Sequence, residues 1–139
     1  MPDNPQRPTL IWPNKDQYLI HNAAGGYSFS WSDKDDEVAQ FTRTGTLGDG
    51  ADNLLIRGES GAVLRSLAGG DLGDKTRQVK LCYIDPPFNT TKKFEHYSDR
   101  LPMEQWLSFM RQRLQLIRPL LSPTGSIWVH LDESTHHVA

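Results

Sequence analysis

Apolar positions along the chain fall into three short runs and one long stripe. The runs are Leu54-Leu55-Ile56, Val79 to Ile84, and Ser126-Ile127-Trp128-Val129-His130-Leu131. The stripe is Leu107, Met110, Leu114, Ile117 and Leu121, spaced 3, 4, 3 and 4 residues apart. Short, mainly apolar runs bounded by turn residues predict buried strands, whereas the 3/4 spacing predicts an amphipathic helix starting at Met103 with Pro102 near its first turn. Between the first two runs, Val63, Leu64 and Leu67 share one face of a shorter helix that Gly69-Gly70 stops. Pro119 and Ser122-Pro123-Thr124-Gly125 close the long helix. The resulting order, β-α-β-α-β, predicts an α/β fold with a mainly parallel sheet, right-handed crossovers and strands buried on both faces.

Residues 1–52 have no such period. Pro2, Pro5, Pro8 and Pro13, the pair Gly25-Gly26, the acidic run Asp33-Lys34-Asp35-Asp36-Glu37, and Gly45, Gly48 and Gly50 interrupt any pattern, which predicts an irregular arm with one short hairpin around Tyr27 to Trp31. With 139 residues, 37% hydrophobic and 23% charged, the chain is globular in composition, and one domain is the ceiling. No apolar run approaches the roughly 18 residues needed to span a bilayer, and MPDNPQRP lacks the apolar core of a signal peptide, so a cytoplasmic protein without a membrane partner is expected. Cys82 is the only cysteine, which excludes an internal disulfide and a thiolate zinc cage. His130, His136 and His137 lack a further ligand at metal-binding spacing, so no metal is expected.

The net charge of −2 conceals an asymmetry. Residues 1–76 hold 7 Lys and Arg against 11 Asp and Glu, whereas residues 77–139 hold 8 against 6. The basic half includes Thr90-Thr91-Lys92-Lys93-Phe94, which suits either a solvated loop or contact with phosphate.

In open parallel sheets ligands bind beyond the carboxyl ends of the strands, and here those ends carry Gly58-Glu59, Asp85-Pro86-Pro87-Phe88 and Asp132-Glu133. Two consecutive prolines cannot continue a central strand, and they fix two φ angles while removing two N–H donors. The corner therefore offers acceptors, the Asp85 carboxylate and the Pro86 carbonyl, in a stiff frame beside an aromatic ring. Such a frame suits a planar amino group on a heterocycle; it equally suits a rigid turn with Phe88 in the core.

Ile84-Asp85-Pro86-Pro87-Phe88-Asn89 resembles the catalytic motif of the amino-group DNA methyltransferases, which methylate adenine N6 or cytosine N4. Asn53 to Glu59, the helix from Trp106 to Leu121, Gly125-Ser126-Ile127-Trp128-Val129, and Pro8-Thr9-Leu10-Ile11-Trp12-Pro13-Asn14-Lys15-Asp16 are similar to the permuted β-type of these enzymes, especially the modification subunits of type III restriction-modification systems. The resemblance implies a partial S-adenosylmethionine-dependent methyltransferase (Rossmann-like) fold: an irregular arm over residues 1–52 and a partial catalytic domain over 53–139. It implies that Asp85, Pro86, Pro87 and Phe88 are catalytic, with Asp85 and the Pro86 carbonyl holding the exocyclic amine of a flipped base and Phe88 stacking on it. It also implies S-adenosylmethionine as cofactor near Gly58, Glu59, Asp85 and Asp132, and DNA contact by Lys92, Lys93 and Arg100. Cys82, inside a strand, is expected to be core rather than a nucleophile.

Asp at the first motif position resembles the adenine-N6 enzymes more than the cytosine-N4 ones. The family's Phe-x-Gly-x-Gly cofactor loop and target-recognition region are absent from this chain, and Gly48-Asp49-Gly50 reads as a loop. An N-terminal fragment is therefore expected, inactive by itself, with exposed apolar surface and a complementing methyltransferase half or a restriction subunit as partner beside double-stranded DNA. A non-enzymatic remnant that binds nucleic acid or another subunit weakly is the alternative.

Overall fold

The computed structural model describes residues 10–22, 24–32, 39–42, 44–45, 53–69, 78–89, 101–133 and 135, together with the backbone of 93–94 and 97–98. Two strands, β1 (Tyr18–His21) and β2 (Tyr27–Ser30), form an antiparallel hairpin in which Tyr18 faces Ser30 and His21 faces Tyr27. Its turn is built by Asn22, whose side-chain oxygen accepts from the Ala24 and Gly26 N–H groups at 3.2 and 3.0 Å. Gly25 adopts φ +83, a conformation that costs glycine little because it has no Cβ. The predicted hairpin is thus present, with Tyr18–His21 as its other strand.

Helix α1 (Ser60–Gly69) follows, then β3 (Val79–Ile84), a two-residue antiparallel pair β4 (Lys93–Phe94) and β5 (Tyr97–Ser98), and helix α2 (Met103–Ile117). A single 3-10 turn at Arg118–Leu120 leads into β6 (Leu121–Val129). The long helix stops one turn earlier than its apolar stripe, because Pro119 has no N–H to donate back along the helix. At the other end the Pro102 carbonyl accepts from Gln105 and Trp106 at 2.9 and 3.0 Å, and Glu104 in the first turn favours the helix dipole.

Strands β3 and β6 pair in parallel, with Cys82 opposite Ile127, Tyr83 opposite Trp128 and Ile84 opposite Val129. This is the predicted parallel connection through a helix. The segment Ser122–Gly125, expected to be a helix terminator, instead begins β6, where the register shifts between Val79 and Leu81. Such an irregularity accommodates Pro123 inside a strand. A Cβ on Gly125 would lie 2.5 Å from the Val79 carbonyl oxygen, so this close approach of two backbones requires glycine.

Two expectations are corrected. Leu54-Leu55-Ile56 is not a strand: Leu54 and Leu55 are 70% and 98% exposed, and no described strand runs beside them. An apolar triplet becomes a strand only where a neighbour completes its backbone hydrogen bonds. Nor is the β3–β6 pair buried on both faces. Ile84 and Val129 pack against the core, while Leu81, Tyr83 and Trp128 on the other face are 57%, 61% and 64% exposed. Burial of both faces needs a layer on each, and among the described residues only one face has it.

The core is assembled on α2. Trp106, Leu107, Phe109 and Met110 cluster with Leu19 of β1, and Trp12, Tyr27, Phe29, Ile84, Leu101, Val129 and Leu131 pack around them. Residues of the N-terminal arm are therefore part of the same core as the sheet. The Trp12 indole donates to Ser108 Oγ at 2.8 Å, and the Gln112 amide donates to the Leu19 carbonyl and accepts from its N–H at 3.0 and 2.9 Å. Among the described residues no helix is long and apolar enough to cross a membrane.

Candidate active site

The chain leaves β3 at Ile84 and turns through Asp85-Pro86-Pro87-Phe88-Asn89. Three contacts hold this corner from outside. The indole Nε1 of the fully buried Trp106 donates to the Pro87 carbonyl at 2.7 Å. The buried Thr135 hydroxyl donates to the Phe88 carbonyl at 3.5 Å. Asn89, in the left-handed region at φ +57, accepts from the Leu101 N–H through its side-chain oxygen at 2.7 Å, which ties the start of α2 to the corner. Asparagine tolerates this conformation better than most residues because its short polar side chain bonds locally.

Of the three carbonyls at 86, 87 and 88, the last two accept these bonds. Among the described residues none donates to the Pro86 carbonyl. Asp85 is open to solvent, and its Oδ1 lies 3.0 Å from Nδ1 of His130, which enters from the end of β6. The His130 N–H also extends the parallel ladder by bonding the Ile84 carbonyl at 2.9 Å. The Phe88 ring meets the His130 ring edge-on, with centroids 5.0 Å apart. The exposed Asp85 and His130 and the half-buried Pro86 and Phe88 thus supply a carboxylate, an imidazole, a carbonyl with no donor among the described residues and an aromatic ring from two adjacent strand ends.

Glu59 stands in a different environment. Its Oε2 accepts from the Ala62 N–H at 2.8 Å, capping α1, and its Oε1 pairs with the Arg113 guanidinium. Arg113 is itself buried and stacks on the Phe109 ring at 3.9 Å. Burial pushes the Glu59 carboxyl up, but the Gly61 and Ala62 N–H groups and Arg113 together outweigh it, leaving it below its ordinary value. Gly58 precedes this cap in an exposed position. The contacts of Glu59 are thus with α1 and α2 and not with the Asp85 corner.

Asp132 lies two residues beyond His130, and its carbonyl accepts from the Thr135 N–H at 3.2 Å, placing it in the turn that also supplies the Thr135 contact. Lys93 contributes its backbone to β4; Lys92, Arg100, His136, His137 and Gly48-Asp49-Gly50 lie outside the described residues. Burial pushes the Cys82 thiol up, away from the thiolate a nucleophile needs. Among the described residues no cluster of three His, Cys, Asp or Glu is placed to hold a metal. A groove of about 410 Å³ between Ile11–Gln17 and Trp31 includes no residue of the Asp85 corner.

The sequence points to Asp85 through Phe88 because they are contiguous. Nothing in the sequence marks the contacts of Trp106, Asn89 and Thr135, since their bonds to the corner depend on the fold. By residue type His130 suggests only a metal ligand; its position at a strand end is the signal that marks it.

Residues 79–139, from β3 onward, match the DNA methylase family. The chain is 34% identical over 125 residues, 90% of its length, to the "Probable type III restriction-modification enzyme HindVI Mod subunit" of Haemophilus influenzae, of which it covers 16%. It is 42% identical over 72 residues, 48% of its length, to the type II methyltransferase M.EcaI of Enterobacter cloacae, again covering 16% of that protein. To the type III restriction-modification enzyme StyLTI Mod subunit of Salmonella typhimurium it is 32% identical over 113 residues, 60% of this chain and 17% of that one. The chain thus spans about a sixth of the length of these relatives. No solved structure matches. The acceptor corner and the parallel strand ends thus lie within a stretch, residues 79–139, that matches the DNA methylase family, and the chain is similar to the modification subunits of type III restriction-modification enzymes.

Proposed function

We propose that this segment forms the base-holding corner of a DNA adenine-N6 methyltransferase. One observation supports this most: of the three carbonyls in the corner, the two after Pro86 are held by Trp106 and Thr135, while that of Pro86 stays open beside the Asp85 carboxylate. An exocyclic amine has two N–H donors, and two fixed acceptors orient its nitrogen lone pair. Phe88, beside them, provides a face on which a base swung out of the duplex stacks.

S-adenosylmethionine, when bound, supplies an electrophilic methyl group on sulfur. Asp132, in the turn beyond β6 whose Thr135 holds the Phe88 carbonyl, would hold such a group beside the corner, where Asp85 serves the amine; Gly58 and Glu59 follow no described strand, and Glu59 is bonded to Arg113 and α1, so these two do not fit a site shared with the corner. The chain's own contribution is positioning: a fixed amine and no covalent bond to the enzyme. Lys92, Lys93 and Arg100, in the stretch that the Asn89–Leu101 bond closes, contact the DNA backbone in this reading. As in a modification subunit, a restriction subunit is the partner protein.

The test is transfer of tritiated methyl to DNA by the chain, alone and supplied with the remainder of a Mod-type subunit. Label is expected as N6-methyladenine in the reconstituted sample, and its loss in Asp85→Ala with cofactor affinity retained. Label on cytosine N4 would reassign the base, and normal turnover by Asp85→Ala would remove the corner from the chemistry.

A further inference from the structure

We propose that His130 is a positioning residue for Asp85, orienting the carboxylate that receives the base amine; this rests on the methyltransferase reading above. Asp85 follows two residues after Tyr83 on a strand whose outer face is exposed, so little of the core constrains its side chain. Its described side-chain partner is Nδ1 of His130 at 3.0 Å. A carboxylate only accepts, so Nδ1 carries the hydrogen and donates to Oδ1. Among the described residues nothing donates to Oδ2, which leaves that oxygen for the amine.

His130 is itself fixed at two points. Its backbone N–H bonds the Ile84 carbonyl at 2.9 Å, the last rung between the two parallel strands. Its ring packs edge-on against Phe88 at 5.0 Å, with an interplanar angle of 82°. One imidazole thus touches both side chains that would handle the base, the acceptor and the stacking ring. The rung places it there, since parallel pairing brings the residue after Val129 level with the residue after Ile84.

Three variants separate the hydrogen bond from the ring contact. His130→Ala removes both, His130→Phe keeps a ring against Phe88 without the donor, and His130→Asn keeps a side-chain amide donor near the Nδ1 position. Both partners are exposed, so the bond alone is weak, but misplacing a reacting group is costly, and a roughly tenfold fall in the single-turnover methyl-transfer rate is expected for His130→Ala and His130→Phe in the reconstituted enzyme. Cofactor affinity should be unchanged, and His130→Asn should recover most of the rate. A His130→Ala rate within about twofold of wild type, or a fully active His130→Phe, would overturn the proposal.

Nitrogen-15 spectra of the histidine rings in the isotope-labelled 139-residue chain read the pair without catalysis. The proton of His130 is expected on Nδ1, with a shift in tautomer balance in Asp85→Ala; a ring protonated only at Nε2 would equally defeat the proposal. Active Asp85→Ala enzyme alongside an intact Nδ1 signal would instead defeat the methyltransferase reading and leave the pair standing.

Discussion

Replacing Trp106 by benzothienylalanine, which substitutes sulfur for the indole N–H at nearly the same shape, isolates the bond that anchors the corner. Trp106 is fully buried, and its Nε1 donates to the Pro87 carbonyl at 2.7 Å. Without that donor the carbonyl loses its partner, and an unsatisfied buried acceptor costs about 1–3 kcal/mol. Pro87 is only half-buried, so water offsets part of the loss and about 1–2 kcal/mol remains, roughly a 5- to 30-fold fall in the folded-to-unfolded ratio. Trp106→Phe removes the same donor and part of the ring from a close-packed cluster, for a total of about 2–4 kcal/mol. Urea unfolding followed by far-ultraviolet circular dichroism measures both, and the slope should be unchanged while the midpoint falls. In the reconstituted enzyme the analogue should also slow methyl transfer, because the Pro86 carbonyl then sits in a looser frame. An analogue with the wild-type midpoint would show that this bond contributes nothing and that the corner is held by other means.

Further outcomes follow from the same geometry. Phe88→Ala should weaken base handling by about 1–3 kcal/mol, while Phe88→Tyr retains most activity; the signal of a fluorescent base analogue at the target position reports the flipped population. Gly125→Ala forces a Cβ to 2.5 Å from the Val79 carbonyl, so the strands must part locally, at about 1–3 kcal/mol by urea titration. Arg113→Ala strands a Glu59 carboxylate that is only a quarter exposed and removes the stack on Phe109; about 2–3 kcal/mol is expected, below the usual cost of breaking a fully buried pair, by the same titration. Glu59 is held below its ordinary value of 4.5 in the fold, so its contribution is complete above that pH and is lost as the pH falls through the lower folded value. Unfolding titrations between about pH 5 and pH 3 should show a decline that Glu59→Gln lacks.

What the sequence reveals and what it hides divides along physical lines. The run Val79 to Ile84 is legible because turn residues bound a mainly apolar stretch, and the α2 stripe because it is long enough for its period to be unambiguous. The hairpin strand Tyr18–His21 is not, since the adjacent Leu19 and Ile20 are both buried and the alternation that marks a half-buried strand vanishes. Leu54-Leu55-Ile56 misleads for the opposite reason: composition reports apolar character but not whether a neighbouring strand lies within hydrogen-bonding distance. The end of α2 was displaced by the same limitation. Leu121 continues the helical spacing, yet it lies in β6 opposite Val79, because Pro119 decides the backbone before the side-chain pattern does.

At the site the division is between groups that offer chemistry and groups that hold them. Asp85, Pro86 and Phe88 are contiguous, and two prolines at a strand end announce them. Their supports come from 19, 45 and 47 residues away in Trp106, His130 and Thr135, and only the fold assembles those contacts. That arrangement explains how so exposed a corner stays in shape. The indole that closes the core is the same indole that fixes the Pro87 carbonyl, so packing around α2 transmits directly to the acceptor edge. A substitution deep in the cluster, remote from any base, should therefore loosen the acceptors before it unfolds the chain, and the corner's geometry is a property of the core rather than of the tetrapeptide alone.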